Sequence, residues 1–71
     1  MKEIENNFTY HPPTPEQVEI YSLIRAQAKD LAIVIATSAP DSREKSLALT
    51  KLEEAVFWTN ASIARNTKGE E

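Results

Sequence analysis

The side chains of this sequence that can do chemistry are a few cations and a few rings. Arg25 and Lys29 stand four residues apart, so on a helix they share a face. Lys51, Trp58 and Arg65 recur at intervals of seven, so they also align along a helix. A guanidinium grips phosphate oxygens through paired hydrogen bonds, and an aromatic ring stacks on a nucleobase. Such a set suits a ligand that is both planar and anionic. Each residue also has a plainer use. Arg25 and Lys29 suit a solvated face, Lys51 can pair with Glu54 at i+3, and Trp58 suits the centre of a protein interface.

The stretch "FTYHPPTPEQ", residues 8–17, adds two more rings. Phe8 and Tyr10 alternate, so an extended backbone points both rings the same way. Pro12 and Pro13 restrict the chain to extended or polyproline conformations, and Pro12 restricts His11 as well. The segment reads in two ways. It is a hydrophobic strap laid on a helix, or a clamp in which Tyr10 stacks on a planar ligand whose charge a cation holds.

Catalysis is not expected. His11 is the only side chain with an ordinary titration near neutrality, and no nucleophile, base and orienting group occur as a set. Glu53 and Glu54 are adjacent, so on a helix they point about 100° apart and cannot act as a carboxylate pair. The one glycine, Gly69, lies in the tail, so no loop can cradle a phosphate. Without Cys, disulfides and thiolate metal sites are excluded, and one His builds no imidazole cage. No cofactor or metal is expected. The net charge of −3 argues against a DNA or RNA polymer as partner, though not against a small anion held by local cations. "MKEIENN" lacks the apolar run of a signal peptide, and "LAIVIA" (31–36) is too short to span a bilayer. The expectation is a cytoplasmic protein with no membrane contact.

Two long helices must position these groups. Thr14 is a good N-cap, Pro15 suits the first helical position, and Gln17 completes a capping box. Nothing interrupts this helix until Pro40, so it is predicted from Pro15 to about Thr37, roughly 35 Å at the α-helical rise. Asp41 is the predicted cap of a second helix from Ser42 to about Arg65, with Glu44 as its reciprocal partner. The two form an antiparallel hairpin over residues 8–66, with residues 1–7 and 67–71 as flexible termini.

The apolar pattern asks for more than one partner. Ile20, Leu23, Ile24, Ala28, Leu31, Ala32, Val34 and Ile35 spread over about half of the first long helix, against roughly 100° for an ordinary surface helix. On the second, Ala48, Leu49, Leu52, Ala55, Val56 and Ile63 form a normal stripe, with Leu47 and Trp58 nearly opposite it and Phe57 to one side. A chain of 71 residues without disulfides or metal buries little apolar surface alone. Self-association is therefore expected. A surface that docks onto a host protein is the alternative use of Leu47 and Trp58.

"FTYHPPTPEQ", "IRAQAKDLA" and "PDSREKSLALTKLEEAVFWTNASIAR" together resemble the phage anti-CBASS cyclic-nucleotide sponge family, over roughly residues 8–66. The hairpin is also similar to one in phage sponges against Thoeris signalling, which capture cyclic ADP-ribose-type molecules. The resemblance implies a non-enzymatic protein that sequesters cyclic oligonucleotide second messengers without cleaving them. It implies hexamers built from head-to-tail dimers of helical hairpins. Cyclic dinucleotides such as cGAMP would sit between two protomers, and cyclic trinucleotides in a separate pocket near the three-fold axis. Tyr10 matches the tyrosine that stacks on a dinucleotide base. Arg25 falls where a basic residue contacts the same ligand, and Lys29 shares its face. Arg65 matches the arginine of the trinucleotide pocket. The threonine that partners it in a relative has no counterpart here, where Ala26 and Gln27 stand nearest. Phe8, Pro12 and Pro13 are expected to support Tyr10.

Overall fold

The computed structural model describes residues 2–66. They form three helices, α1 (Lys2–Asn7), α2 (Pro15–Ser38) and α3 (Arg43–Asn66), and no strand occurs among them. The predicted hairpin is present, with α2 packed on α3.

Local chemistry accounts for where the long helices begin and end. The Thr14 hydroxyl accepts the Gln17 N–H at 3.1 Å, while the Gln17 side chain accepts the Thr14 N–H at 3.0 Å, and Pro15 opens α2. Ala39 leaves the helical region (φ −93°, ψ 138°) ahead of Pro40, and its N–H still reaches the Ile35 carbonyl at 3.0 Å. α3 starts one residue later than predicted, and Ser42 rather than Asp41 is its cap. The Ser42 hydroxyl accepts the Lys45 N–H at 3.1 Å. Asp41 is occupied by the Lys45 ammonium at 2.8 Å.

Residues 2–7, expected as a flexible terminus, form α1. Glu3 and Glu5 in its first turn favour the positive end of the helix. The Phe8 N–H closes it on the Ile4 carbonyl at 3.1 Å, and the Thr9 hydroxyl donates to the Glu5 carbonyl. The tail expected to be flexible, residues 67–71, lies outside the described residues. Phe8 belongs to the turn that ends α1, so it does not share one extended stretch with Tyr10 as predicted. The irregular segment is residues 10–14, ending in an extended Thr14 (φ −78°, ψ 163°).

The seam between α2 and α3 is narrow. Tyr21, Ile24, Ala28, Ala32 and Ile35 are half-buried on one side, and Leu49, Leu52, Val56, Asn60 and Ile63 on the other. Steps of three and four residues mark the single stripe that one partner helix can cover. The excess width of the α2 stripe stays out, with Ile20, Leu23, Leu31 and Val34 all more than two-fifths exposed. On α3, Leu47, Phe57 and Trp58 are equally bare. Among the described residues only Gln17 is buried, at 8% exposure. The body measures 47 × 27 × 13 Å. Its thickness is about that of one helix with side chains, ~10–12 Å. Two helices side by side make one layer, and a hydrophobic core needs two.

Candidate ligand-binding site

Among the described residues, open grooves follow from this single layer, and three of them matter here. Two flank the seam. The first, about 600 Å³, has an apolar floor that includes Ala32, Leu49, Leu52 and Val56, with Arg25, Lys29 and Glu53 among its walls. The second, about 520 Å³ on the other flank, is lined by Ile24, Leu31, Val34, Ala55 and Thr59 among others. The third lies at the open end of the hairpin, where the segment after α1 crosses α2 and α3. About 350 Å³ in volume, it is lined by Asn7, Thr9, Tyr10, His11, Tyr21, Phe57, Asn60, Ala61, Ala64 and Arg65.

The third groove collects the chemistry of three elements. Tyr10 comes from the irregular segment, Tyr21 from the second turn of α2, and Phe57 and Arg65 from α3. Phe57 packs edge-on against Trp58, with ring centroids 5.0 Å apart and planes at 70°. Three rings and a guanidinium around one opening can stack on a planar group and hold an anion beside it.

Two side-chain amides close the open end by reaching the last turn of α3, where a helix has carbonyls without intrahelical partners. Asn6 Nδ2 donates to the Arg65 carbonyl at 3.2 Å, and Gln17 Nε2 donates to the Ile63 carbonyl at 3.5 Å. His11 Nε2 lies 2.8 Å from the Asn6 carbonyl. A carbonyl only accepts, so this ring nitrogen carries the proton. Beside them, Asn60 Oδ1 is buried without a hydrogen-bond partner.

The expected site residues therefore fall into two groups. Tyr10 and Arg65 line the same groove. Arg25 and Lys29 line another, on the flank of the seam. Phe8 and Pro13 lie outside the lining of the three grooves, and Phe8 is 87% exposed. Trp58 is absent from the lining of the groove that holds Arg65, and the α3 ring that lines it is Phe57. Tyr21, Phe57 and Asn60 were missed as lining residues. Tyr21 had a signal, since it lies one heptad before Ala28 on the seam face. The off-stripe position of Phe57 hinted at a separate role without saying where.

Arg25, Lys29 and Arg65 form no ion pair among the described residues. Ion pairs among the described residues join Asp41 with Lys45 and, at 3.7 Å, Lys51 with Glu54. Arg25 reaches only the Ser22 hydroxyl, at 3.4 Å. The Asp41 carboxyl is held below its ordinary range, first by the hydrogen bond from Lys45 and then by its charge. It sits in the turn, at the end of the hairpin remote from Tyr10 and Arg65. No cluster of His, Cys, Asp and Glu able to hold a metal occurs among the described residues. No helix among them is long and apolar enough to cross a membrane.

A helical hairpin with open, cation-bearing grooves belongs to the class of small binding modules. Residues 1–64 match the Acb2/Tad1 hairpin domain, and the chain belongs to this family of anti-CBASS and anti-Thoeris sponges. Sponges of this family bind their targets rather than cleave them. The match begins at residue 1, so it takes in α1 as well as the hairpin. No curated protein and no solved structure matches the chain.

Proposed function

We propose that this protein captures cyclic oligonucleotide second messengers, cyclic dinucleotides foremost, and withholds them intact from the effectors of CBASS immunity. It does so as a homo-oligomer, a hexamer in the family's manner, in the cytoplasm of the infected cell. The observation that supports this most is a pairing: cation-bearing grooves with apolar floors on a hairpin that buries no hydrophobic residue among those described. Neighbouring copies would cover the bare faces and turn open grooves into enclosed sites. Tyr10 of one copy and Arg25 of another then serve one ligand, Tyr10 by stacking and Arg25 on phosphate, with Lys29 beside it. Arg65 serves a second site for cyclic trinucleotides. Phe8 and Pro13 act as supports of Tyr10.

The energies suffice for capture. A charge-assisted bond to phosphate contributes about 1.5–3 kcal/mol. A stacked base adds about 1–3 kcal/mol. Calorimetry with cyclic GMP–AMP tests the reading. Replacing Tyr10 by Ala should weaken binding about 5- to 150-fold, the equivalent of one lost stack, without changing the sedimentation of the oligomer. Ligand recovered after heat denaturation should be unchanged on chromatography. A folded monomer at micromolar concentration, or a linearised product, would overturn the proposal. Membership in a family that counters both immune systems favours one other ligand class, cyclic ADP-ribose-type signals. A thermal-shift panel containing both classes decides between them.

A further inference from the structure

We propose that Asn6 is the positioning residue of the Tyr10–Arg65 groove, and that α1 exists to hold it there. The inference rests on the reading of Tyr10, one wall of that groove, as the ring that stacks on a cyclic dinucleotide. Asn6 is the residue through which both walls of the groove are tied. Its side-chain amide donates to the main-chain carbonyl of Arg65 at 3.2 Å, across 59 positions of sequence. Its own carbonyl accepts the His11 Nε2–H at 2.8 Å. His11 directly follows Tyr10, and Arg65 lines the same groove as Tyr10. One residue thus sets the end of α3 through its side chain and the Tyr10 segment through its main chain.

Burial cannot do this work. Tyr10 is 80% exposed, and Ile4, the large apolar residue of α1, is 53% exposed. A helix of six residues is not stable in water by itself. With little apolar contact to hold the segment, its placement depends on directional bonds, and those that fasten it to the groove converge on Asn6. The acceptor is apt as well, since Arg65 O belongs to the last turn of α3, whose carbonyls need donors from outside the helix.

The test replaces Asn6 by Asp, which keeps the shape, removes the donor and sets a negative charge against the negative end of α3. In the ligand-free protein, amides of residues 2–11 should exchange with solvent about tenfold faster, while those of the α2–α3 seam and the melting temperature stay as they were. Affinity for cyclic GMP–AMP should fall about tenfold when Tyr10 is present and less than about twofold when Tyr10 is already Ala. A purely structural role predicts equal losses in both backgrounds and a lowered melting temperature. His11→Ala, which frees the other half of the latch, should speed exchange in the same segment. Unchanged exchange in Asn6→Asp, or equal affinity losses with and without Tyr10, overturns the proposal. If the unsubstituted chain takes up no cyclic nucleotide, the proposed function fails, and the exchange measurement still decides the latch.

Discussion

Gln17, the one buried residue among those described, should be the most sensitive polar position for stability. Its Oε1 accepts the Thr14 N–H at 3.0 Å and its Nε2 donates to the Ile63 carbonyl at 3.5 Å. The first bond is half of the α2 capping box and contributes about 1 kcal/mol. The second is at the outer limit of hydrogen-bond distance and contributes about 0.5 kcal/mol. Gln17→Ala also removes one buried methylene, about 0.8 kcal/mol. Freed side-chain entropy returns about 1 kcal/mol. The net loss is about 1–2 kcal/mol, or roughly 5–15 °C in melting temperature for a domain of this size. Gln17→Glu separates the two bonds. A carboxylate still accepts from Thr14 and favours the start of α2, yet it cannot donate to Ile63 and opposes the negative end of α3. It should melt between the Ala variant and the parent. Circular dichroism at matched protein concentration measures this, because association would make melting depend on concentration. If the Ala variant melts within about two degrees of the parent, the open end is held by something other than Gln17.

The turn should respond to acid and to substitution in separate ways. Lys45 depresses the Asp41 carboxyl, so whatever stability that pair contributes is present at neutral pH and disappears as pH falls through the folded-state value. Lys45→Met should raise the Asp41 midpoint toward that of an ordinary aspartate, followed by carboxyl NMR, and an unmoved midpoint would discount the pair. Ser42→Ala should cost about 1 kcal/mol as a lost N-cap, and Asp41→Ala distinctly less. The reverse order in thermal melts would restore Asp41 as the cap.

Much of the hairpin was legible because its signals are local. Thr14, Pro15 and Gln17 state the start of α2 within four residues, and Pro40 states its end. Asp41 and Ser42 competed for one role, and either would satisfy the same orphan N–H groups. In the folded chain Ser42 takes it, because the Asp41 carboxylate is drawn to Lys45. α1 was not legible. Six polar-rich residues carry no period long enough to read, and their order comes with a contact to Arg65 at the far end of the chain. Phe8 and Tyr10 read as a pair because alternation presumes an extended backbone, and the turn closing α1 breaks that presumption.

From sequence alone came two capped helices, their antiparallel order, a stripe too wide for one partner and the resemblance to a sponge. All of these depend on neighbours within a few residues or on side-chain period, which one chain displays without being folded. Tertiary structure alone decided which half of the α2 stripe meets α3, that Tyr10 and Arg65 share a groove while Arg25 and Lys29 line another, and that Phe57 rather than Trp58 lines the groove of Arg65. Those outcomes depend on where three elements converge at the open end of the hairpin. Convergence is set by distances between residues remote in sequence, on which local preference has no hold.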